Sequence, residues 1–156
     1  MLFVNDEGTE DGGLIYGGSA ENGRASSFSH LSFDQYDQDQ TIVIGTSLSG
    51  GQRQAAIQLN DAPETPITPA LIAEAERIKA MPHGPQRGAA WAAYLKKYPA
   101  LTARAEFGRN ADGSVGLVLR DKEGRSRLVI RVGTDGRPSI NLLDEHGSVV
   151  KGISSE

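Results

Sequence analysis

The sequence contains no cysteine, which excludes disulfide bridges and thiolate chemistry. Aromatic residues make up only 6% of the 156 residues, so a surface of stacked rings for carbohydrate or single-stranded nucleic acid is not expected. No apolar run approaches the ~20 residues that a membrane-spanning helix requires, and the pattern of a signal peptide is missing. Motifs for nucleotide binding and serine hydrolysis are missing as well. The length and composition predict a single domain over residues 1–156.

Positive charge is scarce in the first part of the chain. Residues 1–66 hold ten carboxylates and only two arginines, whereas residues 107–138 hold seven basic residues and four carboxylates. One interpretation is that acidic and basic strands lie side by side in one sheet, where cross-strand ion pairs form. The other is that Arg120, Arg127 and Arg131, which share the polar face of a hairpin, bind a small anionic ligand. The net charge of −4 and the low aromatic content predict no nucleic-acid partner.

Glycine is abundant, with nineteen residues, and it marks an internal β-repeat with a spacing of 23 residues. The repeat relates Asp112-Gly113, Asp121 and Gly124 to Asp135-Gly136, Asp144 and Gly147. Asp-Gly pairs favour turns with positive φ, and apolar side chains alternate with polar ones between these turns. The pattern predicts consecutive antiparallel hairpins, in which Leu117, Ile130 and Ile140 lie on one common buried side. A weaker copy of the unit opens the chain at residues 3–8.

The middle of the chain reads first as strands and then as helices. Alternation predicts strands over residues 30–36, 41–47 and 53–60, with Gly50-Gly51 as a hairpin turn between the last two. A helical hairpin over residues 68–98 is predicted to follow as an insertion.

The first helix of this insertion is predicted to begin with Thr68 as its N-cap and Pro69 at its first position. The second is predicted from about Gln86 to Tyr98. We expect the pair to pack over the open end or one face of the sheet, where Trp91 anchors the core. The alternative is a lid or recognition surface that contains Trp91.

Together these segments predict a mainly β fold. The expected architecture is a curled antiparallel sheet or a partly closed β-barrel of eight or nine strands, with the two-helix hairpin inserted in it.

The candidate chemistry lies in residues 30–40. On a strand, His30, Asp34 and Tyr36 project to one face, so an imidazole, a carboxylate and a phenol are available for acid–base catalysis. Such a trio suits an isomerase, a cyclase or a hydrolase, but a solvated strand face shows the same alternation. Asp34, Asp37 and Asp39 have oxygen ligands for a hard cation, yet their spacing does not match a calcium-binding loop. No metal site and no cofactor are predicted.

A resemblance rests on three parts of the chain. The segment Asn5 to Ile15 reads N-D-E-G-T-E-D-G-G-L-I, and a second segment covers residues 30–40. L-x-D-x-x-G units recur near the end, and the first of them extends to L-x-D-x-x-G-x-x-R at Arg127. These segments resemble a group of uncharacterised bacterial proteins that usually carry an N-terminal hydrophobic anchor. The resemblance implies a β domain of the bacterial envelope, with the anchor outside this sequence, and it implies no activity or catalytic residues.

The sequence favours a non-catalytic binding or interaction module of an envelope-associated protein. Its contact surface is expected to be the basic hairpin face, the acidic turn over residues 34–39 or the helical pair. The expected partner is a protein or a small anionic ligand, and pairing of copies through sheet edges stays open. The alternative function is a small-molecule enzyme whose pocket holds His30, Asp34 and Tyr36 inside a β-barrel.

Overall fold

The structure is a computed structural model, and it describes residues 1–21 and 24–155. The strands are β1 (Leu2–Val4), β2 (Glu10–Glu21), β3 (Arg24–Asp34), β4 (Gln40–Ser49), β5 (Gln52–Asp61), β6 (Thr102–Arg109), β7 (Val115–Arg120), β8 (Ser126–Val132), β9 (Pro138–Leu143) and β10 (Val149–Ser154). The helices α1 (Pro69–Lys79) and α2 (Pro85–Lys97) lie between β5 and β6.

Each strand pairs antiparallel with the next one along the chain, so the ten strands form one meander in sequence order. The mainly β prediction is confirmed, and of its two forms the open sheet is observed, because the sheet does not close into a barrel. Closure would require β1 to pair with β10, but β1 has only three residues. β10 is exposed along its whole length.

Five turns of the sheet are closed by the same pattern of two backbone hydrogen bonds. In the turn after β7, the backbone N–H of Asp121 donates to the carbonyl of Arg125, and that of Gly124 donates to the carbonyl of Asp121, each at 2.9 Å. The same two bonds close the turns over residues 5–9, 110–114, 133–137 and 144–148. The fourth residue of each turn is a glycine with φ between 78° and 92°, a region that disfavours other residues. Such turns set the register of the strands that they join.

The register sorts the side chains into two faces. Directly paired residues of an antiparallel sheet point to the same side, so rows of side chains can be followed from strand to strand. The central row consists of Leu14, Leu31, Ile44, Ile57, Phe107, Leu117, Ile130, Ile140 and Ile153. The second row consists of Phe3, Gly12, Phe33, Ile42, Leu59, Ala105, Leu119, Leu128 and Leu142. We call these two rows the apolar face and the opposite side the polar face.

The apolar face is open to solvent. Phe107 is 54% exposed, and Ile130 and Ile140 are 38% and 41% exposed. The prediction that Leu117, Ile130 and Ile140 share one side is confirmed by the register. The expected burial of Ile130 and Ile140 is wrong, because all ten strands belong to one layer and the helices leave this face uncovered.

The helical insertion begins as predicted. The Thr68 side chain accepts a hydrogen bond from the backbone N–H of Leu71 at 3.3 Å, and Pro69 is the first helical residue. α2 begins at Pro85 and ends at Lys97, one residue earlier at each end than predicted. Neither helix in the described part of the chain has the length and apolar character needed to cross a bilayer.

The two helices pack mainly on each other. Ile78 of α1 is only 1% exposed, and it is the one fully buried apolar side chain among the described residues. Trp91 is half-buried, and its ring lies edge-on to that of Tyr94 with centroids 5.3 Å apart. The hairpin meets the sheet beside the turn after β3, where the backbone N–H of Ile67 donates to the carbonyl of Asp37. The expectation that Trp91 anchors a sheet core is therefore wrong.

Candidate functional site

The three predicted acid–base residues do not form one site. β3 ends at Asp34, so Tyr36 lies in the following turn instead of on the strand face. Its hydroxyl donates to a carboxylate oxygen of Glu7 at 2.7 Å. This hydrogen bond, followed by the charge of Asp37, raises the pKa of the Tyr36 phenol. The phenol is thus directed to the first turn of the chain and away from His30.

His30 lines a shallow cavity of about 240 Å³ on the polar face. Phe28 stacks on the imidazole with ring centroids 6.4 Å apart. The rest of the lining includes Gln54, Gln58 and Glu106. The Nε2 atom of His30 is buried without a hydrogen-bond partner among the described residues. The volume lies below the ~300–1,000 Å³ typical of ligand pockets, so this cavity suits at most a small chemical group.

Asp34 lines a different cavity, together with Glu10, Asp37 and Asp39. One carboxylate oxygen of Asp34 is buried and has no hydrogen-bond partner among the described residues. Burial, followed by the charges of Asp39 and Glu10, raises the pKa of Asp34. His30 is not part of this lining, so the imidazole and the carboxylate face separate cavities.

We predict that Asp34→Asn stabilises the fold at pH 7. Folding raises the pKa of Asp34 above 3.8, so the folded state favours the protonated carboxyl. At pH values above the raised pKa the carboxyl is ionised, and this lowers the free energy of unfolding. The midpoint of thermal unfolding should rise by a few degrees at pH 7 and be unchanged at about pH 3, where the wild-type carboxyl is protonated. Circular dichroism at both pH values measures this, with the exposed Asp6→Asn as control. A lower midpoint for Asp34→Asn at pH 7 would contradict the prediction.

The acidic turn after β3 does not assemble a metal centre. Within residues 1–21 and 24–155, no group of three or more His, Asp or Glu side chains is arranged to hold a metal ion. Asp34, Asp37 and Asp39 lie around one cavity, but they do not converge on a common point.

The three arginines of the predicted anion-binding strip each contact a carboxylate. Arg120 lies 3.5 Å from Glu106, and Arg127 lies 3.6 Å from Asp121. Arg131 forms an ion pair with Asp112. Their charge is therefore largely offset within the sheet. Arg104 of β6 also pairs with Asp61 of β5. The interpretation that the acidic and basic strands lie side by side is otherwise wrong, because in the described part of the chain the meander brings residues 1–66 and 107–138 together only where β5 pairs with β6.

The apolar face is an extended exposed surface. Its central row from β2 to β10 and its second row from β1 to β9 contain only apolar residues and glycine. Lys151, which pairs with Leu142 at the β10 edge, is the charged residue at the end of the second row. Beside the central row, the Arg109 side chain donates to the carbonyls of Arg53 and Asn110. These bonds hold its charge at the margin of the apolar face.

Sequence reasoning assigned this surface to a core and so missed it as a candidate site. The available signal was the number of segments that could form a second layer. All ten strands belong to one meander and the two helices pack mainly on each other, so no segment of the described chain forms a second layer. Comparison of the chain with protein-family models, curated proteins and solved structures finds no match.

Proposed function

We propose that this chain is a non-catalytic interaction module that packs its apolar face against an apolar protein surface. The supporting observation is the exposed central row, in which Ile57 is 43% exposed and Phe107 is 54% exposed. A sheet with one apolar face needs a second layer to bury that face. The described chain has none, so a partner supplies it.

The size of the face supports this proposal. Nine strands at ~4.8 Å spacing and two rows, which take up about four residues of ~3.3 Å along each strand, make a surface on the order of 600 Å². That is the upper end of the ~300–600 Å² range of the largest apolar patch on a typical monomer, and such patches are often functional.

The charge distribution favours a protein partner over a bilayer. Surfaces that bind anionic membranes combine an apolar stripe with many lysines and arginines. This chain has a net charge of −4, and Arg120, Arg127 and Arg131 are occupied by carboxylates. The separation of His30, Asp34 and Tyr36 also supports binding over the alternative of an enzyme. We extend the proposal to a bacterial envelope protein with a β-repeat on the resemblance of residues 5–15 and 30–40 alone.

A hydrophobic dye tests the proposed function. At high dilution, where the face is free, the chain should bind 8-anilinonaphthalene-1-sulfonate, and Ile57→Asp should abolish most of the fluorescence increase. Gln58→Asp is the matched control, because its neighbouring position on β5 lies on the polar face. The proposal fails if the folded chain binds no dye at any dilution. It also fails if Ile57→Asp binds dye as wild type does, or if the apolar face binds vesicles of phosphatidylcholine and phosphatidylglycerol.

A further inference from the structure

We infer that the partner of the apolar face is a second copy of this chain, so that two sheets pack face to face about a two-fold axis. This inference rests on the proposed function and names its partner. In a two-fold interface, the same surface of both copies meets itself. The surface must therefore have the size, the shape and the charge to be its own complement.

The size is sufficient for a stable dimer. The face, on the order of 600 Å², reaches the lower bound of specific protein interfaces, which bury ~1,200–2,000 Å² in total or ~600 Å² and more per partner. The helical hairpin does not obstruct it, because Leu59 and Phe107, which lie in the two strands that flank the insertion, are 45% and 54% exposed.

The shape is self-complementary. Antiparallel sheets twist with one hand, and two such sheets pack about 10 Å apart with their strands near −30°. The surface that best fits a twisted sheet is therefore another sheet of the same twist. The row spacing is the same in both copies, so side chains such as Ile57 and Ile130 can lie between those of the facing sheet.

The charge also favours self-association. Between β1 and β9 neither row contains an acidic or basic side chain, so apolar groups meet apolar groups over most of the face. Lys151 lies at the β10 edge and is exposed, and the Arg109 side chain beside the central row is bonded to backbone carbonyls. The polar face lacks this property, because packing it against another copy would bury charged side chains such as Glu106 and Arg131. Self-packing is thus possible for one face and unfavourable for the other.

Sedimentation equilibrium on the full chain tests the inference. Wild type should have twice the monomer mass of 16.6 kDa. Ile130→Asp places an unpaired carboxylate in the interface, so its dimer dissociation constant should rise by about 100-fold or more. Val129→Asp is the matched control, because the neighbouring position on β8 lies on the polar face, and it should remain dimeric. Circular dichroism checks that both variants are folded.

Cysteine cross-linking tests face-to-face packing independently, in case Ile130→Asp does not fold. The chain has no cysteine, so a single introduced thiol is the only one present. Phe107 lies in β6, near the middle of the ten strands, and a two-fold axis through the centre of the face brings both copies of this position together. Phe107→Cys should cross-link with a short bis-maleimide across the ~10 Å between sheets. Gln58→Cys on the polar face should not.

The outcomes separate the two proposals. A chain that is monomeric at all concentrations but binds the dye overturns the second copy as partner and leaves the proposed function standing. A monomer that binds no dye overturns both. A dimer that persists in Ile130→Asp and gives no cross-link through Phe107→Cys is held by its sheet edges, and this result overturns face-to-face packing.

Discussion

Substitution of Gly108 by alanine is expected to lower the free energy of unfolding by about 2–3 kcal/mol. Gly108 lies in β6, opposite Ala56 of β5. An added Cβ would come within 2.3 Å of the carbonyl oxygen of Ala55 and 2.7 Å of the Cα of Ala56. These are backbone atoms of a paired strand, so the two strands have to move apart. Urea denaturation followed by circular dichroism measures the loss, at one fixed protein concentration because the proposed association would contribute to stability.

Gly17→Ala is the matched control. Gly17 is also a strand glycine, but the atoms nearest to its added Cβ belong to the Phe28 ring, at 2.9 and 3.1 Å. That ring is exposed and can rotate away, so the change should be less than about 1 kcal/mol. Equal destabilisation by both substitutions would show that loss of glycine in a strand, rather than backbone contact between β5 and β6, is responsible. The contrast also tests the pairing of β5 with β6, the strands that flank the helical insertion.

The hairpins could be predicted because local patterns determine them. Alternation with a period of two identifies which residues share a face, and an Asp-Gly pair or a Gly at the fourth turn position identifies where the chain reverses. Thr68 and Pro69 likewise begin a helix through interactions within their own first turn. None of these features depends on distant parts of the molecule.

The exposure of the apolar face could not be predicted in this way. The same alternation is found in a strand that faces a core and in one that faces a partner, because both bury apolar side chains eventually. What differs is the second layer, and that depends on the topology of the whole chain. Ile130 and Ile140 were therefore placed on the correct side but with the wrong environment.

The prediction that His30, Asp34 and Tyr36 form one site was wrong for a more local reason. The turn after β3 contains no glycine or proline. The backbone N–H of Gln38 donates to the carbonyl of Gln35, and Asp37 adopts a φ of 52°. Aspartate tolerates this left-handed conformation better than most residues. Because glycine and proline are missing from this turn, alternation predicted that the strand continues to Tyr36. The partners of the three arginines were missed because they come from other strands and turns.

Ile78→Ala is expected to unfold the helical hairpin selectively and to leave the sheet intact. Removing a fully buried isoleucine side chain costs about 2–4 kcal/mol, and here the loss falls on a unit that packs mainly on itself. Hydrogen exchange followed by mass spectrometry should show amides of α1 and α2 exchanging faster by roughly 30-fold or more, with β5 and β6 unchanged. Trp91 fluorescence should shift toward that of a solvated indole.

Ile72→Ala provides the control within the same helix. Ile72 is 51% exposed, so its truncation should change exchange of the helices little. If Ile78→Ala also accelerates exchange in β5 and β6, the hairpin is coupled to the sheet through its contact near Asp37. If exchange rises in the helices alone, the insertion is a separate folding unit. The sheet is then stabilised by strand pairing and by the partner that covers the apolar face. In that case the face-to-face dimer becomes the sheet's main source of burial, and dilution should destabilise β5 and β6 without affecting α1 and α2.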